Sequence, residues 1–564
     1  MFYVFCQVFN DPIHGTVELH PLLIKIIDTP QFQRLRNIKQ LGGVYFVYPG
    51  ASHNRFEHSI GVAHLAGQLV EALRTRQPEL KINDRDVLCV KIAGLCHDLG
   101  HGPFSHLYDQ MFITKAKRPA GALGEKMATW THEEASVEMF DHLVKSNNLE
   151  LEMEDYGLIL PNDVNFIKKM IEGLKDPKAA QVSPACWSEI GRTEDKFFLF
   201  EIVANKSNGI DVDKFDYFAR DCYHLGMKNN FDHLRFIQLT RVIKVEKDGL
   251  NHICSRDKEV ANLYDMFYTR NCIHRRACQH KVNKIMQYMI AEAFLKADGH
   301  IKIEGLEGKE FTLSPAISDM EAYTKLTDHV FEQILHSSSV ELAEAKKILE
   351  RIISRDHYRF LGETKPRQVP TREKILGWKE ELDQARQNVC PEGHNFDPKL
   401  NPCSKDTAEA CQKLSKAISQ TLDSFRESGK LSEERKRRWE RELAEAVPEG
   451  GDGGVTLKPE DFVVLDTTFD YGMKDKDPIK NVYFYNKINP DKAFNITRDQ
   501  VSKLLPACFS EQLIGVYSKK NDDQSVEAAR MHLEQWCKQK GLPEPQYGEI
   551  ETPEVIPVGN IQNN

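Results

Sequence analysis

The chain has 564 residues, of which 41% are hydrophobic and 28% are charged, and its formal net charge is −9 at pH 7. This length exceeds what one hydrophobic core supports, so it predicts two or three domains of ordinary globular composition. The negative net charge excludes a surface that binds polyanions over the whole chain, but it does not exclude a local basic cleft. The 13 cysteines include no CxxC pair, and no apolar run has membrane-spanning length. We therefore expect reduced thiols and a protein that is neither secreted nor inserted in a membrane.

Residues 1–365 are rich in helical periodicity and predict a mainly α domain. The short apolar start, residues 1–9, predicts a strand or buried arm rather than a signal peptide. Residues 87–96 are almost continuously apolar and predict a helix that is buried on most sides. That helix leads directly into His97 and Asp98, where glycines and a proline end it. Ionisable side chains at the end of a buried helix need pairing or a metal ion.

Residues 366–456 differ in composition, with more proline, glycine and charge, and predict a charged helical insert and linker. Residues 411–425 predict one amphipathic helix, residues 433–447 a second, and residues 448–454 a flexible linker. The mixed charges of 433–442 favour a solvated helix face, with nuclear import or nucleic-acid binding by the basic residues 435–438 as the alternative. Four side chains of the insert are candidate zinc ligands, although free thiols are favoured because their spacing fits no finger: Cys390, His394, Cys403 and Cys411.

The C-terminal region, residues 457–564, returns to a globular composition. Residues 462–465 and 482–485 predict strands, and residues 524–539 predict a helix. The proline-rich tail after Pro543 predicts a loose end. The expected fold is therefore mainly α, with a smaller α+β lobe at the C-terminus.

A metal site is predicted where the buried helix ends. Adjacent helical residues point about 100° apart, so His97 and Asp98 both reach one ion only if it lies beside the turn. His58 and Asp213 are candidates for the remaining ligands. Two imidazoles and two carboxylates suit Zn, Fe or Mn better than Ca. Such a metal lowers the pKa of a bound water and makes hydroxide available for attack on phosphorus.

The alternative for a lone His-Asp pair is a hydrogen bond at a helix end, and by itself it is the more common case. Here His101 and His106 follow within nine residues. Clustering several ionisable side chains around the end of one buried helix costs free energy. Such a cluster therefore indicates a functional site. This clustering favours the metal site.

The order His58, His97-Asp98, Asp213 is the H…HD…D pattern of the HD phosphohydrolase superfamily. Four longer segments carry a more specific similarity: NDPIHG at 10–15, TPQFQRLR at 29–36, PGASHNRFEHS at 49–59 and AGLCHDLGHGPFSH at 93–106. The chain resembles the vertebrate SAM-and-HD-domain deoxynucleoside triphosphate triphosphohydrolases over residues 7 to about 365 and about 457 to 555. The resemblance implies that 1–365 is an HD domain and that 457–564 is a regulatory lobe. Because the chain begins at the HD region, the SAM domain is expected to be missing.

The resemblance implies hydrolysis of deoxynucleoside triphosphates (dNTPs) to a deoxynucleoside and inorganic triphosphate by attack on the α-phosphorus. The metal ligands are then His58, His97, Asp98 and Asp213, and the catalytic residues His132, His101 and Asp213. The implied substrate-binding residues are Gln40, Arg55, His106, Lys214, Tyr217, Asp221, Arg270 and Gln279. Gln40 and Asp221 are expected to contact the sugar 3′-hydroxyl.

His132 becomes the leaving-group acid only through this resemblance, since the residues alone favour an exposed histidine at a helix start. The neighbouring Glu133 and Glu134 are expected to raise its pKa. The resemblance places three basic residues at the phosphates: Arg55, Lys214 and Arg270. Taken alone, each would be interpreted as part of a surface salt bridge.

The resemblance also implies activation by nucleotides, a dimer that becomes a homotetramer when they bind, and Mg with the bound nucleotides. The guanine nucleotide (GTP or dGTP) site is implied at Asp28, Gln33, Arg36, Arg355 and Arg359. The neighbouring dNTP site is implied at Val8, Asn10, Arg235, Arg256, Lys258, Asn262, His280 and Val282, with Lys519 or Lys520. The resemblance further implies roles in antiviral defence, innate immunity, DNA replication and DNA repair. It also implies a nuclear location, with the cytosol as the alternative.

Three positions and the insert depart from the family pattern. Gln7 stands where the family has a phosphate-binding lysine, and Thr16 where it has a histidine. Cys278 replaces a tyrosine that packs against the sugar, so we expect looser exclusion of ribonucleotides. Residues 385–447 are longer than the corresponding family connection.

Two other functions stay open at this point. One is another HD-type reaction, by a nuclease or phosphodiesterase, and the other is non-catalytic binding of single-stranded nucleic acid. The intact metal ligands and His132 favour the enzyme.

Overall fold

The computed structural model describes residues 7–174, 184–365, 432–448 and 454–548. The chain forms two compact units. The N-terminal unit comprises Met1–His357 and Phe469–Ser510, and the C-terminal unit comprises Tyr358–Thr468 and Glu511–Asn564. These units do not follow the predicted linear division into 1–365, 366–456 and 457–564. Residues 469–510 join the N-terminal unit because a strand within them pairs with a strand of that unit.

Helices dominate the described chain, as the sequence predicted. Numbered in chain order, they are α1 Pro21–Ile27, α2 Pro30–Gln33, α3 Arg55–Arg76, α4 Asp84–Cys96, α5 Ala122–Thr129, α6 His132–Ser146, α7 Leu149–Asp155, α8 Asn162–Glu172, α9 Pro184–Glu189, α10 Phe200–Val203, α11 Val212–Leu225, α12 His233–Gln238, α13 Val260–Ile273, α14 Lys281–Ala297, α15 Met320–Thr324, α16 Val330–Leu335, α17 Ala343–Ile353, α18 Glu433–Glu445, α19 Arg498–Val501 and α20 Asp523–Lys540. No helix of the described residues has both the length and the apolar character that crossing a bilayer requires.

The strands form small separate sheets. They are β1 Gln7–Asp11, β2 Gly15–Leu19, β3 Thr240–Lys244, β4 Asn251–Arg256, β5 Ile303–Glu304, β6 Glu310–Phe311, β7 Arg359–Thr364, β8 Phe462–Asp470, β9 Phe484–Tyr485 and β10 Ser510–Ser518. In the N-terminal unit β1 pairs with β2 and β5 with β6, both antiparallel, while a three-stranded sheet has the order β3-β4-β9. The strand predicted at 482–485 is thus the two-residue β9, parallel to β4.

Helices α3 and α4 form the centre of the N-terminal unit. Both begin with a capping box, at Asn54 and at Asn83, which satisfies main-chain N–H groups of the first turn. The predicted buried helix is confirmed as α4, which ends at Cys96. A Cβ added at Gly61 of α3 would lie 1.9 Å from Asp216 Oδ1 of α11. Only glycine therefore allows α11 to approach α3 at this point.

The C-terminal unit builds its core around the sheet β7-β10-β8 and the helices α18 and α20. The helix predicted at 433–447 is confirmed as α18, and the one predicted at 524–539 as α20. Trp439 and Trp536 pack edge to face in this core, with ring centroids 5.5 Å apart. The helix predicted at 411–425 and the candidate zinc ligands lie outside the described residues. The architecture is mainly α with a smaller α+β unit, as predicted.

Candidate metal centre and active site

The predicted metal ligands come together from three segments. His58 lies in the first turn of α3, His97 and Asp98 directly follow α4, and Asp213 lies in the first turn of α11. His58 Nε2 is 3.1 Å from Asp213 Oδ1 and 3.4 Å from Asp98 Oδ2. His97 Nε2 is 3.4 Å from Asp98 Oδ1 and 3.5 Å from Asp213 Oδ1. Ligand atoms about 2.1 Å from one ion lie roughly 3–3.5 Å apart, so the spacing fits a single ion.

The orientation of the two imidazoles also fits a metal. His58 Nδ1 is 2.7 Å from Asp216 Oδ2, and His97 Nδ1 is 2.8 Å from the carbonyl oxygen of Gly94. Because both Nδ1 atoms bond these acceptors, Nε2 is in each ring the nitrogen that faces the site and could bind a metal. His97 Nε2 is buried and has no hydrogen-bond partner in the structure. A divalent transition metal is the kind of group that this donor set suits.

Asp216 is a supporting residue that the sequence analysis missed. Its fully buried carboxylate bonds His58, His14 Nε2 at 2.7 Å, and two nitrogens of Arg220 at 2.8 and 2.9 Å. Arg220 also donates to Asp11 Oδ2 at 2.9 Å. The i, i+4 spacing of Asp216 and Arg220 on α11 was the available signal. This network fixes the ring of His58.

Asp98 is held by Arg55 of α3, whose NH1 lies 2.6 Å from Asp98 Oδ2. Burial alone would raise the pKa of Asp98, but Arg55 and the nearby histidines hold that pKa well below its ordinary value. Asp98 therefore presents an anionic oxygen to the metal position. Arg55 also donates to Ser105 Oγ and to the carbonyl oxygen of Gln40.

A cluster of imidazoles lies beside the metal ligands. The rings of His101 and His132 are stacked with centroids 4.1 Å apart, and His106 meets both edge to face at 5.1 Å. His132 begins α6, where Thr131 is the N-cap. Its side chain is mostly buried, and so the exposed histidine that the isolated residues favoured is not observed.

The partner of His132 is Asp109, which the sequence analysis did not identify. Asp109 Oδ2 lies 3.0 Å from His132 Nδ1, and Glu133 Oε2 lies 3.5 Å away. Burial by itself lowers the pKa of His132, but the hydrogen bond and charge of Asp109, followed by Glu133, raise that pKa above its ordinary value. Burial, Arg55 and His132 hold the pKa of His101 well below its ordinary value. The stacked pair thus favours one protonated and one neutral imidazole.

The remaining cations of the pocket are paired with carboxylates. Lys214 Nζ lies 3.1 Å from Asp211 Oδ1. Arg270 NH1 donates to the carbonyl oxygen and to Oδ1 of Asp470, each at 2.7 Å. These ion pairs fix the two cations near the start of α11 and on α13.

Asp221, one of the residues expected at the sugar, lies apart from the predicted metal ligands. Asp213, Tyr217 and Asp221 follow at steps of four residues on α11, so they share one face and span about 12 Å along the helix axis. Asp221 Oδ1 is 2.7 Å from His53 Nε2. Gln40 is buried, and its Oε1 has no hydrogen-bond partner in the structure.

The comparisons with known proteins agree with this geometry. The HD domain family matches residues 55–185. The chain is 53% identical over 552 residues to the deoxynucleoside triphosphate triphosphohydrolase SAMHD1 of Danio rerio, an alignment that covers 98% of this chain and 77% of that protein. The human protein of the same name is 49% identical over 551 residues, with 98% and 76% covered. The SAMHD1 homolog of Dictyostelium discoideum is 32% identical over 532 residues, with 93% and 80% covered. The chain belongs to the SAMHD1 family.

The residues that the SAMHD1 resemblance implied for nucleotide activation have defined positions. In the N-terminal unit Gln33 Nε2 donates to the carbonyl oxygen of Ile27 at 2.8 Å, and Arg36 Nε donates to Gln33 Oε1 at 2.8 Å. Arg235 Nε lies 2.7 Å from Glu259 Oε1. The others of this unit lie on β1, in the α1–α2 turn, near β4 and α13, around the start of α14, and after α17: Val8, Asn10, Asp28, Arg256, Lys258, Asn262, His280, Val282 and Arg355. Arg359, Lys519 and Lys520 belong to the C-terminal unit.

Proposed function

We propose that the chain hydrolyses dNTPs to a deoxynucleoside and inorganic triphosphate in a metal-dependent reaction. The observation that carries the proposal is the buried, unpartnered Nε2 of His97, which faces Asp98 and Asp213 across about 3.5 Å. Membership of the SAMHD1 family supports the substrate class.

His58, His97, Asp98 and Asp213 would hold the metal, for which Zn, Fe and Mn fit the donor set. When bound, such an ion supplies Lewis acidity and a water activated for attack near neutral pH. Asp216 and the carbonyl oxygen of Gly94 orient the two imidazoles.

The phosphate oxygens are bound by cations that the protein already fixes in place. Arg55, Lys214 and Arg270 would offset the negative charge of the triphosphate, with His106 and Tyr217 as further contacts. Because each guanidinium or ammonium group is held by a neighbouring acceptor, little reorganisation is needed when the substrate binds. His101, being neutral, adds a hydrogen bond at the α-phosphate without a second full charge.

His132 would donate a proton to the 5′-oxygen of the departing deoxynucleoside. Asp109 raises the pKa of His132, which favours the protonated ring, and fixes that ring through Nδ1, so that Nε2–H would be the group that donates. Gln40 and Asp221 would receive the sugar 3′-hydroxyl, and Gln279 lies beside Cys278 at the end of the helical turn His274–Cys278. Attack at the α-phosphorus leaves the triphosphate intact as the second product.

We also propose nucleotide control of this activity. GTP or dGTP and a dNTP, each with Mg, would bind the positions given above and would convert a dimer into a tetramer. The support for this control is that the residues given above match the activator positions of the family that the chain resembles. Nuclear or cytosolic localisation, antiviral defence and a role in DNA replication and repair are proposals of the same kind.

The test is to incubate the purified chain with each dNTP, with and without GTP, and to identify the products by chromatography. We expect deoxynucleoside and triphosphate, with formation accelerated by GTP. Monophosphate as the product would instead indicate a nuclease or phosphodiesterase. Binding of single-stranded nucleic acid without turnover would contradict the enzyme, and a His97→Ala/Asp98→Ala variant that kept the cellular effect would favour that binding role.

A further inference from the structure

His53 is a buried histidine outside the metal and phosphate positions. It precedes the cap of α3, and its side chain is fully buried. Its Nε2 lies 2.7 Å from Asp221 Oδ1. A carboxylate only accepts hydrogen bonds, so Nε2 is the donor. Within the ranges that the structure describes, no other side chain bonds the carboxylate of Asp221.

The ring of His53 is held in one orientation. It stacks on the ring of His224, with centroids 4.3 Å apart and an angle of 12° between the planes. His224 is itself fixed by a bond of 3.1 Å between its Nδ1 and the carbonyl oxygen of Gly50. Among the residues that the structure describes, the buried Nδ1 of His53 has no hydrogen-bond partner. The bond to Asp221 is therefore the polar contact that this ring provides.

The main chain of His53 contacts the other residue expected at the sugar. Its carbonyl oxygen accepts the N–H of Gln40 at 3.0 Å. The side-chain Oε1 of Gln40 is buried and unpartnered, an arrangement that requires a donor to offset its desolvation. A single residue thus fixes both Asp221 and Gln40.

Asp221 is separated from the reaction centre along α11. Asp221 lies two turns of α11, about 12 Å along the axis, beyond the metal ligand Asp213. The proposed function assigns the α-phosphate to the Asp213 end and the sugar to Asp221, so a bound deoxynucleotide would extend in this direction. His53 therefore acts on sugar binding rather than on the phosphorus.

We infer that His53 is a positioning residue that sets the preference for a 3′-hydroxyl, by fixing the carboxylate of Asp221 and the main chain of Gln40. This inference rests on the proposed function, which assigns the 3′-hydroxyl to Asp221 and Gln40. With Oδ1 committed to His53, the second oxygen of Asp221 accepts the hydroxyl hydrogen in one fixed direction. Without the bond to His53 the carboxylate of Asp221 can rotate. This weakens the binding only of substrates that carry the 3′-hydroxyl.

The experiment compares dCTP with its 2′,3′-dideoxy analogue, at saturating GTP and one fixed dATP concentration. Initial rates of nucleoside release give kcat and KM for the wild type, His53→Ala, His53→Gln and Asp221→Asn. We expect the wild type to prefer dCTP, and His53→Ala to lower kcat/KM for dCTP by roughly tenfold, mainly through KM. Hydrolysis of the dideoxy analogue should change by less than about twofold, since that substrate makes no 3′-hydroxyl contact.

His53→Gln is the conservative variant, which tests whether a donor at this position is enough to keep the preference for dCTP. Its side-chain amide can still donate to Asp221, so we expect it to retain a measurable preference for dCTP. His252→Ala is the matched control, since His252 is equally buried, at 3% exposure against 2% for His53, and also bonds a carboxylate, Glu201, at 2.7 Å. This control should lose stability without a change in the ratio of the two substrates.

The outcomes test separately the assignment of the 3′-hydroxyl to Asp221 and the positioning role of His53. If Asp221→Asn keeps the wild-type preference, the assignment of the 3′-hydroxyl to Asp221 is wrong, and the inference on His53 fails with it. If Asp221→Asn loses the preference while His53→Ala and His53→Gln both keep it, only the inference on His53 is overturned. An equal loss for both substrates in the His53 variants, as in His252→Ala, would show a purely structural role and would overturn it as well.

Discussion

Asp109 and His132 are joined by a bond of 3.0 Å between Oδ2 and Nδ1, although 23 residues separate them in the chain. This bond places a carboxylate behind the imidazole that we propose as the proton donor. It also stabilises the protonated ring against the effect of burial.

The first prediction concerns the pH dependence of catalysis. A general acid is active below its folded pKa and is lost as the pH rises through that pKa, so His132 should set an alkaline limit to kcat. In Asp109→Asn the largest influence that raises the pKa of His132 is gone while burial remains, so the alkaline limit should move to lower pH. We expect kcat at pH 8 to fall by roughly tenfold, measured as triphosphate release from pH 5.5 to 9.5.

Asp141→Asn is the control for this profile. Asp141 lies on the same helix as His132, and one of its oxygens is 3.0 Å from Lys168, so its loss should leave the pH profile in place. An unchanged alkaline limit in Asp109→Asn would rule out the role of Asp109.

The second prediction concerns metal content. His97→Ala removes a ligand whose Nε2 has no other partner, so bound transition metal and activity should both fall by at least about tenfold. Elemental analysis of the purified protein measures the first and nucleoside release the second. His64→Ala is the control, since His64 lies on α3 and bonds Gln68 rather than a ligand. Full metal content in His97→Ala would contradict the site.

The third prediction concerns the sugar. Cys278→Tyr fills space beside the position expected for the 2′-carbon, so it should raise the ratio of kcat/KM for dGTP over GTP by about tenfold. The exposed Cys508 provides the control Cys508→Tyr, which should leave the ratio unchanged. Identical ratios before and after Cys278→Tyr would end this explanation of selectivity.

The fourth prediction concerns activation. Gln7 is exposed on β1, and Gln7→Lys adds the charge that the family places there. One charge-assisted hydrogen bond is worth about 1.5–3 kcal/mol, so half-maximal activation should need at least about tenfold less nucleotide. Glu18→Gln makes the same charge change on the paired strand β2, where Glu18 lies opposite Val8. An equal effect of both variants would show that overall charge, not the site, is responsible.

The fifth prediction concerns the stability of the C-terminal unit. Trp439 of α18 is 7% exposed and packs on Trp536. Trp439→Ala should lower the free energy of unfolding of this unit by about 3–5 kcal/mol, measured by denaturant titration. Arg438→Ala on the exposed side of α18 should change it by less than about 0.5 kcal/mol. A similar small change for Trp439→Ala would show that α18 does not contribute to this core.

The sequence by itself determined the parts that depend on local pattern and on long matched segments. The apolar run at 87–96 predicted α4, the four proposed metal ligands followed from the order of the family pattern, and the family followed from segments such as 93–106. These features can be predicted without tertiary information because helix periodicity and motif spacing are properties of neighbouring residues.

Only the tertiary structure decided which distant side chains serve the site. Asp109, Asp216 and His53 bond His132, His58 and Asp221, respectively, across separate elements, and no spacing in the chain predicted those pairs. The step of four residues from Asp216 to Arg220 pointed only to the ion pair between those two residues. The same is true of residues 469–510, which join the N-terminal unit through the pairing of β9 with β4. The physical reason is that a hydrogen bond depends on where packing brings two groups together, and packing is decided by the whole core rather than by the local chain.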